Sequence, residues 1–187
     1  MTTVSLCRPG RVSHWLGMYR LYMKNFPRAE RKPIGVVLGM YHKGSTDIWC
    51  ILRDGAFCGF AATMNGGSLV MLDYLAIHEK CRNQGVGSAA LALLLEHYRD
   101  REFILEIESP YESCPQQVLR QHRKAFYLRC GLEQLSVMAD VFGIKMELLG
   151  KNCTMDFERY NRFYRDAYSP WAASHIKKGI HPAAPEK

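Results

Sequence analysis

Residues 75–98, LAIHEKCRNQGVGSAALALLLEHY, carry the reading that decides the fold. Leu75-Ala76-Ile77 end an apolar, β-prone run, whereas Gly87 to Tyr98 is rich in Ala and Leu, so a strand hands over to a helix between them. Gly85 and Gly87 let the backbone turn tightly and leave its N–H groups uncovered. With a helix N-terminus behind them, the donors of Gln84 to Ser88 form an anion cradle suited to a pyrophosphate.

Two ligand classes use such a cradle. Gly85-Val86-Gly87-Ser88-Ala89-Ala90 matches the G-x-G-x-x-A dinucleotide fingerprint, with Glu106 about 20 residues on. That fingerprint places its first glycine directly after the strand, whereas seven residues, His78 to Gln84, intervene here. The preceding segments also disagree with a domain that begins on its fingerprint strand. TDIWCILR, Asp54-Gly55, AFCGFAATM, Asn65-Gly66-Gly67 and SLVMLDYLAI alternate β-rich runs with turn signals, which predicts a three-stranded antiparallel meander.

Upstream, Val12, Trp15, Leu16, Tyr19, Tyr22, Met23 and Phe26 recur at helical spacing until Pro27, and a second helix is expected at about 33–43. Downstream, FILEIES reads as a strand, Pro115 to Cys130 as a helix stopping at Gly131, and Leu135 to Ala139 and Ile144 to Leu149 as two further strands around Gly143. SLVMLDYLAI, the helix after it and FILEIES make a right-handed βαβ crossover, so two parallel central strands are expected. The fold class is therefore α/β with a mixed sheet, an antiparallel meander followed by that crossover. Residues 1–150 are expected to form one domain and 151–187 a C-terminal helical extension, aromatic in FERYNRFYRDAY, with a loose tail beyond Pro182.

A chain of 187 residues with 48% hydrophobic content can bury one substantial core. Its longest apolar stretches, such as Val70 to Ile77, fall far short of the roughly 20 residues that span a bilayer, and the start MTTVSLCRPGR does not read as a signal peptide. A cytoplasmic protein without a membrane partner is expected. The seven cysteines are odd in number and contain no Cys-x-x-Cys pair, so they read as reduced core thiols rather than a disulfide framework or a metal site. The net charge of +7 comes from Lys and Arg scattered among acids, which argues against nucleic acid and suits an acidic partner or a ligand carrying several phosphates.

Arg82-x-x-Gly85-x-Gly87 after Leu75-Ala76-Ile77 resembles the acetyl-CoA motif of the GNAT superfamily of N-acetyltransferases. Ala125-Phe126-Tyr127-Leu128-Arg129-Cys130-Gly131-Leu132 is similar to the family's Tyr-containing helix end, and the resemblance covers roughly residues 12 to 149. It implies a GNAT-like fold, acetyl-CoA as co-substrate, an amine acceptor and no metal, and it leaves a homodimer open. In the cofactor site it implies Leu75, Ala76 and Ile77, whose backbone pairs with the pantetheine arm, and the loop Arg82, Asn83, Gln84, Gly85, Val86, Gly87 and Ser88, whose Gln84 to Ser88 N–H groups hold the pyrophosphate.

The same resemblance implies that a backbone N–H near Ile77 stabilises the tetrahedral oxyanion and that Tyr127 protonates the departing thiolate. The base is open. Asp73 is the acid of the central strand, and alternation puts it on the face of Leu75 and Ile77, while Glu106 and Glu108 share one face of the next strand. Glu30, in Phe26-Pro27-Arg28-Ala29-Glu30-Arg31, resembles the Phe-Pro-x-x-Glu segment of some arylalkylamine acetyltransferases and stands as a third catalytic candidate beside Tyr127 and Asp73. His78 and His122 read as solvated or capping residues, and Cys130 as no nucleophile, since the family transfers the acyl group directly. The alternative function is a catalytically silent acyl-CoA-binding module that acts through a partner protein.

Overall fold

A computed structural model describes residues 2–28, 31–111 and 114–180. Glu30 and the tail expected beyond Pro182 lie outside these residues. The chain is a mixed α/β protein that divides into two compact units, Met1–Arg101 and Glu102–Lys187.

The first unit runs β1 (Val4–Cys7), α1 (Val12–Asn25), α2 (Ile34–His42), β2 (Thr46–Arg53), β3 (Ala56–Gly66), β4 (Leu69–Ile77) and α3 (Val86–His97). β2, β3 and β4 are antiparallel neighbours, as their turn signals predict. Asp54 and Gly55 both take positive φ, 49° and 79°, the pair of left-handed residues that a two-residue hairpin turn requires. The meander has a fourth strand that the sequence reading lacks: β1 pairs antiparallel with β2. Thr3 and Asp54 lock that edge, the Thr3 N–H donating to Asp54 Oδ1 at 2.8 Å and the Asp54 N–H to the Thr3 carbonyl at 2.9 Å.

Periodicity decides what covers this sheet. Met18, Leu21 and Tyr22 of α1 and Val37 of α2 pack on Ile48, Phe60, Ala62, Tyr74 and Ala76, with large apolar side chains such as Leu21, Ile48 and Phe60 each contributing about 1.5–3 kcal/mol. Trp49 and Thr63 alternate with that set, and both meet Tyr98 at the end of α3. The Trp49 indole donates to the Tyr98 hydroxyl at 3.2 Å, Thr63 Oγ1 lies 2.8 Å from it, and the hydroxyl donates to Asp47 at 2.8 Å. The end of α3 is thereby pinned to β2 and β3.

The second unit runs β5 (Glu102–Glu108), α4 (Gln117–Arg129), β6 (Glu133–Val141), β7 (Ile144–Lys151), α5 (Phe157–Ala167), α6 (Pro170–Ser174) and β8 (Ile176–Lys178). β7 pairs with β5 and β6, and β6 with β8, all antiparallel. α6 and β8 are absent from the sequence reading, being only five and three residues long. Asp156 caps α5 by accepting from the Arg159 N–H at 2.7 Å. The aromatic face of α5 is core, with Tyr160, Phe163, Tyr164 and Ala167 all buried, so it is not a free surface for a partner. α4 is tied to β7 by a buried ion pair, Lys124 Nζ to Glu147 Oε2 at 2.6 Å, with Ser109 Oγ donating to the other oxygen at 3.1 Å.

Candidate functional site

The segment between β4 and α3 is ordered by its own polar groups. His78 caps a 3₁₀ turn, Glu79–Cys81, accepting the Lys80 N–H at 3.3 Å, so this histidine is a capping residue. Arg82 folds back: its Nε–H donates to the Ile77 carbonyl at 3.0 Å and its Nη2 to Asn25 Oδ1 at 2.5 Å. Gln84 donates to the Lys80 carbonyl at 2.8 Å and accepts from Arg53. Asn83 and Gly85 take positive φ, 57° and 74°, a region that asparagine tolerates and glycine enters freely.

These turns bring the chain into α3 with its first donors bare. The first backbone bond of the helix is Ala89 N–H to the Gly85 carbonyl at 3.0 Å, and the N–H groups of Val86, Gly87 and Ser88 have no acceptor among the described residues. Three bare donors at the positive end of a helix dipole can hold a phosphate oxygen without any basic side chain.

β4 supplies a second set of main-chain groups. The His78 N–H bonds to the Cys58 carbonyl at 2.7 Å, and pairing then alternates along the antiparallel ladder. Ala76 and Tyr74 therefore spend their backbone groups on β3, while Leu75 and Ile77 direct theirs away from it. Gly59, opposite Ile77, permits the close approach, since a Cβ there would stand 2.4 Å from the Ala76 carbonyl oxygen.

A β-bulge interrupts β4 at Asp73: Ala62 pairs with Tyr74 but Thr63 pairs with Leu72. The strict alternation assumed from sequence is broken there, and Asp73 and Tyr74 both reach Lys32. The Lys32 ammonium lies 2.6 and 2.7 Å from the two oxygens of Asp73, and its backbone N–H donates to the Tyr74 hydroxyl at 3.1 Å. Tyr22 completes the cluster, donating to the Lys32 carbonyl at 2.7 Å, with Phe26 edge-on to Tyr74 at 4.9 Å. Burial, the largest cause, and the charge of Asp73 push the Tyr74 phenol far above its ordinary value, so it stays protonated. Lys32, Tyr22 and Tyr74 were missed from sequence. Tyr74 adjoins Asp73 and Lys32 lies two residues from Glu30, whereas Tyr22 carries no such signal.

In the second unit Tyr127 lies in the last turn of α4, which closes as a Schellman motif. Gly131 takes φ 87° and the Leu132 N–H reaches back to the Tyr127 carbonyl at 3.3 Å. The Tyr127 ring is half-buried, packs edge-on to Phe126 at 5.0 Å, and its hydroxyl has no hydrogen-bond partner among the described residues. Burial pushes this phenol up to about 12, so it is a protonated, uncommitted donor at neutral pH.

The two candidate acids of β5 are committed. Glu108 is paired with Arg120 at 2.5 Å and Arg123 at 3.0 Å, and Glu106 accepts from the hydroxyls of Tyr160 and, at 2.8 Å, Tyr164. His122 is exposed, and the Cys130 N–H serves to close α4.

Solved structures share this fold. A GNAT-family protein from Bacteroides thetaiotaomicron superposes with a TM-score of 0.72 at 21% identity, over 91% of this chain and 98% of that one. The ribosomal-protein-S18-alanine N-acetyltransferase of Escherichia coli gives 0.60 at 15% identity, over 84% and 97%. Naa50 of Arabidopsis thaliana, solved with the bisubstrate analogue CoA-Ac-MVNAL, gives 0.60 at 16% identity, over 80% and 99%. No curated protein matches the chain. A sequence model described as the acetyltransferase (GNAT) family matches residues 15–132, more than half of the 187 and inclusive of both the Arg82–Ser88 loop and Tyr127. The chain thus belongs to the GNAT family of acetyltransferases, which are acyltransferase enzymes.

Proposed function

We propose that the protein transfers an acetyl group from acetyl-CoA to a primary amine of a small molecule, a protein N-terminus or a lysine. The observation that carries this reading is the bare Val86–Ser88 donor set behind a strand whose Leu75 and Ile77 backbone groups point away from β3. The first suits a pyrophosphate and the second an extended amide chain, the two parts that coenzyme A joins. Two of the similar structures are, by their descriptions, a protein-alanine N-acetyltransferase and an enzyme holding a CoA–peptide conjugate, which supports amines at protein N-termini as the first acceptors to try.

In the proposed reaction the amine nitrogen attacks the thioester carbon, and the developing oxyanion accepts from the Ile77 N–H. The C–S bond breaks as the intermediate collapses, the thiolate takes a proton from Tyr127, and the nitrogen loses its proton to a carboxylate, Glu30 or Asp73, directly or through water. Tyr127 enters by its place in the family motif and by its free, protonated hydroxyl. Release of free thiol from acetyl-CoA, measured over a panel of amines and short peptides, tests the proposal. Release that depends on an amine and falls in Tyr127→Phe supports it; acetyl-CoA binding without turnover on any amine favours the silent module.

A further inference from the structure

Although the sequence holds no Cys-x-x-Cys pair, the fold gathers soft donors at the head of α1. Cys7 ends β1 directly opposite Cys50 of β2, so the two side chains leave the same face of the sheet. Residues 8–11 turn the chain with Pro9 buried, which brings His14, in the first turn of α1, over that pair. The two sulfur atoms and a ring nitrogen of His14 all lie within 4.8 Å of one another. His14 Nδ1 is buried with no hydrogen-bond partner, and stacking on Phe57 at 6.2 Å orients the ring. A buried nitrogen left unpaired costs about 1–3 kcal/mol, a cost that a metal bond made through Nδ1 would remove.

We propose that Cys7, His14 and Cys50 form a binding site for a thiophilic metal ion, Zn(II) being the ion that suits it best. Tetrahedral zinc holds thiolate and imidazole donors about 3.5–3.8 Å apart, so these three need close by only about an ångström. Two thiolates and a neutral imidazole cancel the charge of Zn(II), which lets the assembly include fully buried Cys50 without a counter-ion. The fourth position is left to water on the half-exposed side of Cys7 and His14. The ion would staple the four-residue β1 to β2 and α1. Asn25, which holds Arg82, lies about 16 Å along the helix axis from His14, so the site is structural rather than catalytic.

Cobalt(II) and zinc(II) titration of the reduced, chelator-stripped full-length protein tests this. One cobalt ion per chain is expected, with the charge-transfer absorption of a cobalt–thiolate bond and tetrahedral d–d bands that zinc abolishes. Cys7→Ser and His14→Asn, made separately so that one folding failure does not end the test, should each weaken binding at least about tenfold. Cys114→Ser and Cys130→Ser should not, and zinc should raise the Tm of the wild-type chain but not that of Cys7→Ser or His14→Asn. Unchanged bands in Cys7→Ser and His14→Asn, or none in the wild type, would overturn the site. Copper(I) retained against a competing chelator by these residues, with neither cobalt nor zinc bound, would overturn the assignment to zinc.

Discussion

Lys32 holds both carboxylate oxygens of Asp73, at 2.6 and 2.7 Å, with both side chains nearly buried. The pair joins the connection between α1 and α2 to the bulge in β4, so Asp73 would have to act as a base from within this ion pair. Asp73→Asn should strand a buried ammonium and cost about 3 kcal/mol of stability, read from denaturant midpoints. Lys32→Met with Asp73→Leu should recover most of that loss, because no unpaired charge remains. Activity separates the two roles: a double variant that is stable and active excludes Asp73 as the base, whereas one that is stable and dead retains it.

Acetyl-CoA should raise the Tm by linkage, worth about 2.7 kcal/mol at a hundredfold excess over Kd, and NAD should give no shift. Gly85 takes φ 74° at the start of the cradle, so Gly85→Ala should cost about 1–2 kcal/mol in the free protein and shrink the acetyl-CoA shift as well. Stabilisation by NAD and not by acetyl-CoA, followed by scanning fluorimetry, would reverse the reading of the loop.

What was legible in the sequence is what local chemistry dictates. Asp54-Gly55 forces a turn by its φ angles, Pro27 stops α1, and Gly131 ends α4, so those boundaries could be read from neighbours alone. The bare donors at the head of α3 were legible for the same reason, since they are main chain and follow Gly85, whereas Gly87, read as part of the loop, is already helical. The bulge at Asp73 was not legible, because the register of β4 is set by β3, and Lys32 meets Asp73 across 41 positions. Glu106 likewise finds Tyr160 and Tyr164 at separations of 54 and 58. β1 escaped because VSLC, only four residues long, is too short a run to mark a strand by its own pattern, and with it went the approach of Cys7 to Cys50.

Tyr127→Phe should leave acetyl-CoA affinity nearly unchanged and lower kcat by about 10²–10³, the loss expected when a general acid is removed. Since burial raises its phenol to about 12, the donor stays protonated throughout the neutral range, and no alkaline loss of kcat below about pH 10 should trace to it. The stability it contributes has the same sign: present below the ordinary tyrosine value near 10, it is lost as pH rises toward 12. Equal kcat for the two proteins would return Tyr127 to a packing role.

Arg82 is the basic side chain of the family motif, yet its guanidinium is already spent on the Ile77 carbonyl at 3.0 Å and on Asn25 at 2.5 Å. It therefore braces the loop by tying the end of β4 to the end of α1, and a direct contact with phosphate is not needed to explain it. The two possibilities separate at Asn25. If Arg82 acts as a brace, Asn25→Ala should raise the KM for acetyl-CoA in the same direction as Arg82→Lys, which keeps the charge but loses the planar fork. The double variant should then be less impaired than the two losses combined, by a coupling of about 0.5–1 kcal/mol, because both single changes break one connection. If Arg82 instead meets the pyrophosphate directly, Asn25→Ala should leave KM unchanged, and the KM of wild type should climb with salt in a way that Arg82→Gln abolishes. Steady-state kinetics on wild type, the three single variants and the double variant at two ionic strengths distinguishes these outcomes.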